Sequence, residues 1–367
     1  MSLLMVQQPG YRVAVRNGAI AVLHRDQVVA TRPAHEVTEV LLFGSATITD
    51  DARDLLWRQG VDIVFLSAAG TFRARYQSRP TTAGRRRVGQ YAMSLDTERR
   101  AAFVAGLLAG KLRNQAYVLR RAAGSDQARA LANARSIRAL WPRLESERDV
   151  EVLRGLEGLA GRLYFEGFAG CIRNARFTFD GRNRRPPRDP INACLSFGYT
   201  MLERRVEQAV LAAGLDPYVG FLHDADRGAS SLTLDLMEEF RPVVVDRLVL
   251  RLINRQQLSP DDFRGVDLAP TADAQAVDAA VASGDPVPME FRGVHLADEG
   301  RALFIREFNL QWRTPYLYAA TGRYLELGDV LRQQAFQIAR VVEGASPRYQ
   351  AFVLHDRPAV GGGAVEE

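Results

Sequence analysis

Cysteine is scarce: Cys171 and Cys194 are the only two in 367 residues. They form no CxxC pair and no disulfide framework, which argues against a zinc–cysteine site and fits a reducing compartment. Both are expected to be buried as small apolar residues. Long apolar runs are also lacking. No stretch approaches the ~18 uninterrupted apolar residues needed to cross a bilayer, and the N-terminal MSLLMVQQPG has no basic segment followed by an apolar one. A soluble, cytoplasmic protein without a membrane partner is therefore expected. Histidine is confined to His24, His35, His223, His295 and His355. What the chain does have is 47% hydrophobic content, enough for a sizeable core and for more than one domain. Arginine outweighs lysine and clusters, so the charge distribution says more than the net +5.

The hydrophobic pattern changes along the chain. From Tyr11 to Tyr76 it is short and β-like: YRVAV, the hairpin signal Asn17-Gly18, AIAVLHR, VTEVLLFG, VDIVFLS and TFRARY. One helix interrupts it, DDARDLLWRQ, with Thr49 as cap and Gly60 behind it. A small, mostly β domain is placed at 1–76. Residues 77–90, with Pro80 and the run Arg85 to Arg87, read as a linker. From 91 to 355 apolar residues recur at three and four, so a larger, mainly α-helical domain follows and the class is α+β. Within it Asp189-Pro190 starts a helix running to Gly214, residues 258–290 read as a surface excursion, and 356–367 as a disordered tail.

Three stretches carry possible chemistry. VLRGLEGLAGRLYFEGFAG, Val152 to Gly170, is helical in pattern but holds Gly155, Gly158 and Gly161 at intervals of three. Each interior glycine costs a helix roughly 1 kcal/mol relative to alanine. Leu153, Glu157, Ala160 and Tyr164 share a face, so Glu157 points where its apolar neighbours point and needs a partner, a hydrogen bond or a metal. Tight packing of a second helix on the glycines and room for a ligand both satisfy this spacing. The second stretch, FLHDADRGASSLTLDLMEEFRP, puts His223 before a helix with Asp235, Glu238 and Glu239. One imidazole with two or three carboxylates is a hard-ligand set suited to magnesium or manganese; a solvated acidic face with a Glu238–Arg241 surface pair is the plainer reading. The third, RNARFTFDGRNRRPPRDP, is a basic stripe of six arginines around Phe177 and Phe179, suited to phosphate and to stacking on bases.

Together, GLEG with YF, RRPPRDPINACLSFGYTMLE, and HDADRGASSLTLDLMEEFRPVVVDRLVLRLIN closely resemble the CRISPR-associated endonuclease and integrase family, the first Cas protein of the spacer-adaptation pair. The resemblance extends to GKLRNQ and to the C-terminal FIREF and LRQQAFQIARVV segments. It implies a metal-dependent enzyme that joins 3′-hydroxyl ends of a short DNA to a CRISPR repeat by transesterification and can nick branched DNA. The implied ligands of Mg2+ or Mn2+ are Glu157, His223 and Glu238, with Asp235 the alternative third carboxylate. Arg176, Arg182, Arg184, Arg185, Arg188, Arg241, Tyr164, Lys111 and Arg113 form the implied DNA-contacting set. The implied partners are double-stranded DNA, a second copy in a homodimer contacting through the β domain, and a small second adaptation protein completing a heterohexamer. A branched-DNA repair nuclease and a non-catalytic nucleic-acid scaffold are the competing readings. Because histidine ligates only when neutral, metal-dependent activity is expected to fall below the ordinary imidazole pKa of about 6.5.

Overall fold

The computed structural model describes residues 2–66, 72–76, 84–122, 126–183, 186–224, 230–267 and 292–355. The chain divides into two compact units, Met1–Thr82 and Ala83–Glu367. The first is strand-rich. Strands β1 (Ser2–Val6), β5 (Val37–Phe43), β7 (Asp62–Leu66) and β8 (Phe72–Tyr76) form one sheet in the order β1-β5-β7-β8. Strands β4 (Gln27–Arg32), β3 (Ala19–His24), β2 (Tyr11–Arg16) and β6 (Thr47–Ile48) form the other, in that order. The β2–β3 turn uses Asn17 at φ 51° and Gly18 at φ 75°, both left-handed as a two-residue hairpin requires. Helix α1 (Asp50–Arg58) is capped by Thr49, whose hydroxyl accepts from Ala52 N–H at 3.3 Å. Strand β1 was not anticipated. It pairs in parallel with β5, and a strand in a parallel pair reads as a continuous apolar run such as SLLMV rather than an alternating one.

The second unit is mainly helical. It comprises α2 (Gly84–Leu95), α3 (Thr97–Ala122), α4 (Gln127–Ala139), α5 (Trp141–Ser146), α6 (Val150–Ala169), α7 (Pro190–Ala212), α8 (Ser231–Phe240), α9 (Arg247–Asn254), α10 (Asp298–Gln311) and α11 (Leu327–Val342). Two antiparallel strand pairs accompany them, β9 (Phe263–Asp267) with β10 (Arg292–Leu296) and β11 (Pro315–Tyr318) with β12 (Arg323–Glu326). The long helix α3 is central and packs against α4, α6 and α8. Between α8 and α9 the chain takes a wider π-helical turn, Arg241–Asp246. Pro242 lies there, and its missing N–H removes one rung of the ordinary helical ladder.

Part of the expected linker is helix. Residues 84–90 are the first turns of α2: arginine is a good helix former, and Gln90 is fully buried, bonded to Asp216 O at 2.8 Å and Val219 O at 2.7 Å. Residues 77–83 and the expected tail 356–367 lie outside the described residues. The expected excursion opens as a short 3-10 turn, Pro260–Asp262, and strand β9, and 268–291 lie outside the described residues. Asp189 caps α7 as expected, accepting from Asn192 N–H at 2.8 Å. No helix among the described residues is long and apolar enough to cross a membrane.

Candidate active site

Four elements of the helical unit bring charged side chains to one cavity of about 700 Å³: α3 with Lys111, α6 with Glu157, α8 with Glu238, and the π-helical turn with Arg241. Helix α6 explains its glycines here. A Cβ added at Gly155 or Gly158 meets nothing within 4 Å, and one at Gly161 meets only Glu157 Oε1 at 3.9 Å. No second helix among the described residues lies against them, so the packing explanation loses its support there. Gly158 and Gly161 instead border the cavity beside Glu157. Close packing occurs further along the helix, where a Cβ at Gly167 would come within 2.9 Å of Leu119.

The ammonium of Lys111 bridges the two carboxylates. It bonds Glu157 Oε1 and lies 2.5 Å from Glu238 Oε2, off the line of a hydrogen bond. Arg241 contacts the other oxygen of Glu238 at 2.8 Å. The Glu238–Arg241 pair is therefore buried, Glu238 being 2% exposed, rather than the solvated pair the spacing also allows. Burial alone would raise the Glu238 pKa, but the charges of Arg241 and Lys111 outweigh it and hold the carboxyl down to about 2. Burial likewise works to lower the Lys111 pKa, and Glu238 and Glu157 reverse it, leaving the amine above its ordinary value.

His223 sits in the turn after α7, and Asp235 fixes it there. Asp235 is completely buried: its Oδ2 accepts from Phe221 N–H (2.5 Å) and Leu222 N–H (3.0 Å), and its Oδ1 from His223 N–H (2.9 Å) and the ring Nδ1 (2.8 Å). Gly220 permits this approach, since a Cβ there would stand 2.7 Å from Asp235 Oδ2. In the neutral tautomer whose Nδ1 donates to a carboxylate, the lone pair is on Nε2. Nε2 points toward Glu238, 3.9 Å from its Oε1. This corrects the expectation that Asp235 is an alternative ligand: all its strong acceptor positions are committed to orienting His223.

The donor set fits a hard divalent ion. Glu157 and Glu238 already converge on one cation, the Lys111 ammonium, and His223 offers a lone pair beside them. Among the described residues no three His, Cys, Asp or Glu side chains stand at coordinating separation, and the Lys111 ammonium lies between the two carboxylates.

The basic residues separate into two groups. Arg241 and Arg182 border the cavity and both stack on the Tyr199 ring, at 5.3 and 5.4 Å. Arg182 is also held by Asn192 Oδ1 (2.8 Å) and Ser196 Oγ (3.0 Å). Arg176 and Arg188 are exposed; Arg113 turns away to stack on Trp141 at 5.2 Å and face Glu145 at 3.7 Å. Arg184 and Arg185 lie outside the described residues. Three expectations change. Phe177 and Phe179 are buried, packed on Phe263 and on Phe165 and Phe168, so they are not free to stack on bases. Tyr164, expected on DNA, is 1% exposed and donates its hydroxyl to Asp246 Oδ2 at 2.8 Å, while Tyr199 donates to Oδ1 at 2.6 Å. Burial pushes Asp246 up to about 6 despite these bonds. Lys111, also expected on DNA, is instead a member of the carboxylate cluster.

Sequence reasoning missed a second buried cluster, on the far side of α8. There Glu239 accepts from Tyr349 OH (2.8 Å), Gln334 Nε2 (3.0 Å) and Phe352 N–H (2.8 Å). Asn114, one turn beyond Lys111, bonds Glu239 O and Phe352 O at 2.9 Å and accepts from Leu354 N–H at 2.8 Å. These polar side chains bind the extended segment 349–354 against α3 and α8. Cys171 and Cys194 are buried free thiols, as expected.

Comparison with known proteins identifies the family. The family described as "CRISPR associated protein Cas1" matches residues 4–274. The chain is 34% identical over 330 residues to "CRISPR-associated endonuclease Cas1 3" of Thermus thermophilus, covering 89% of each chain. It is 31% identical over 346 residues to "CRISPR-associated endonuclease Cas1 1" of Chlorobaculum tepidum, covering 92% of this chain and 94% of that one. Its fold is similar to a Cas1 protein from Thermotoga maritima (TM-score 0.74, 21% identity, 97% of this chain and 100% of the other). It is also similar to a casposase bound to integration product (TM-score 0.76, 19% identity, 95% and 93%). The family match over residues 4–274 and these relatives show that the chain, with its β-rich first unit and helical second unit, belongs to the CRISPR-associated Cas1 endonuclease family.

Proposed function

We propose that this protein is a metal-dependent DNA endonuclease and integrase of CRISPR adaptation, joining 3′-hydroxyl ends of prespacer DNA to a CRISPR repeat by transesterification. The observation that carries the reading is the convergence of Glu157 and Glu238 on one cation, beside a histidine whose Nε2 is aimed at Glu238. Glu157, His223 and Glu238 are the residues that hold Mg2+ or Mn2+. When bound, the ion polarises the phosphodiester and stabilises charge on the attacking and leaving oxygens.

The chain's own groups do the rest by position and charge. Asp235 fixes the turn and orients the His223 ring with Nε2 toward Glu238. Arg241 and Arg182, both anchored on Tyr199, supply cations for phosphate oxygens at the cavity wall. The open flank left by Gly155 and Gly158 gives a sugar-phosphate backbone access to Glu157. Because the nucleophile is a DNA hydroxyl, no protein-bound intermediate forms and the gain comes from positioning and electrostatics.

The working assembly in this reading is a homodimer joined by a small second adaptation protein on double-stranded DNA. A solved Cas6-RT-Cas1–Cas2 complex contains a longer chain, 36% of which is similar in fold to this one (TM-score 0.76, 21% identity), and the casposase neighbour is bound to an integration product. The test offers linear prespacer duplex, supercoiled repeat plasmid and branched junctions with manganese. Joined products are expected; cleavage of junctions alone would replace integration with repair.

A further inference from the structure

Lys111 is the single lysine of a chain whose Lys and Arg total 48. Every other basic position is arginine, and the exception is 5% exposed between two carboxylates. A guanidinium is a planar fork with its charge spread over three nitrogens, whereas an ammonium is a compact point charge that fits between two oxygens from different helices. The position therefore demands the geometry of a small cation. Phosphoryl-transfer sites with two metals place two cations about 3.5–4 Å apart around shared carboxylates. Here Glu238 offers one oxygen to Lys111 and turns the other toward Arg241 and His223.

We propose that the Lys111 ammonium is a built-in second cation of this centre, so that the site takes one divalent ion where two-metal enzymes take two. The inference rests on the metal-dependent reading above and specifies it. Charge supports it: Lys111 and Arg241 already balance Glu157 and Glu238, and Asp246 is committed to two tyrosine hydroxyls. One divalent ion leaves the centre cationic beside a phosphodiester, whereas a second finds no further carboxylate pair among the described residues to hold it. In the joining step the attacking 3′-hydroxyl forms the new P–O bond and releases its proton to solvent. The old P–O bond breaks and the displaced 3′-oxygen takes up a proton from solvent. The ammonium stays charged throughout.

The experiment counts Mn2+ ions per chain in the full-length protein, by equilibrium dialysis with electron paramagnetic resonance of the free ion, alongside strand joining. One ion is expected in the wild type. Lys111→Ala is expected to take a second ion into the vacated position; Lys111→Arg is expected to lose at least about tenfold in kcat with KM for DNA little changed. Should Lys111→Ala fail to fold, Lys111→Cys alkylated with 2-bromoethylamine rebuilds the ammonium. That product is expected to restore one ion and joining, while the buried Cys171 and Cys194 stay unmodified. Two ions in the wild type, or unchanged joining in Lys111→Arg or in unalkylated Lys111→Cys, would overturn the inference and leave the metal reading intact. No bound ion in a wild type that still joins DNA would overturn both.

Discussion

Glu238 and Glu239 are consecutive on α8, both buried, and their surroundings differ in kind. Glu238 faces the cavity among cations, Lys111 and Arg241, and is held down to about 2. Glu239 faces the segment 349–354 among neutral donors, Tyr349, Gln334 and the Phe352 N–H, and burial pushes it up to about 8. Burial acts on both in the same direction; the partners decide the outcome. The cavity side is thus built to keep an anion ready for a cation, and the other side to hold a strap of chain with hydrogen bonds. One helix presents a carboxylate to cations on one face and clamps a strap of chain on the other.

Removing Glu238 should break this contrast most severely. Glu238→Ala is expected to bring joining to background and to destabilise the fold by about 3 kcal/mol, since it leaves Arg241 and Lys111 short of a buried partner. Chemical denaturation and a joining assay check both parts. Asp235→Asn should act less strongly, weakening Mn2+ binding about 10–100-fold by loosening the orientation of His223. Calorimetric titration with Mn2+ reads that change, and unaltered affinity would mean that Asp235 does not orient a ligand.

The two glutamates also give opposite pH signatures. For Glu239 the folded pKa of about 8 lies above the unfolded value of about 4.3, so the folded state binds more protons between them. Its contribution is present in full below about 4.3 and is lost as pH rises through about 8, at up to roughly 1 kcal/mol per pH unit. For Glu238 the folded value of about 2 is the lower one, so its contribution is present above about 4.3 and lost as pH falls through about 2. Thermal melts from pH 5 to 8.5 should show Tm declining in the wild type and a flatter profile in Glu239→Gln. The smallest effect separates two glycines. Gly158→Ala, facing open space, should stabilise by up to about 1 kcal/mol while narrowing the cavity and slowing joining; Gly110→Ala would overlap Ala351 and destabilise by about 1–3 kcal/mol.

Much of the fold was legible because its signals are local: Asn17-Gly18, the Thr49 and Asp189 caps, and the change from period two to period three and four. The inward Glu157 was readable for the same reason, as a carboxylate among apolar residues on one helical face. Residues whose roles depend on distant partners were not. Nothing near Asp235 in sequence says that its oxygens meet the turn at 221–223, and nothing near Glu239 announces the strap 110 residues downstream. Phe177 and Phe179 misled because a basic stripe with aromatics looks alike whether the rings face solvent or the core. Lys111 did carry a signal, as the lone lysine among arginines.

The most direct test of the central claim is Mn2+-dependent joining of a 3′-hydroxyl oligonucleotide into a supercoiled repeat plasmid by folded Glu157→Ala. A cavity whose carboxylates hold the catalytic ion predicts no joined product and weakened Mn2+ binding, with DNA affinity still falling steeply with salt. Joining at the wild-type rate by this variant would contradict it.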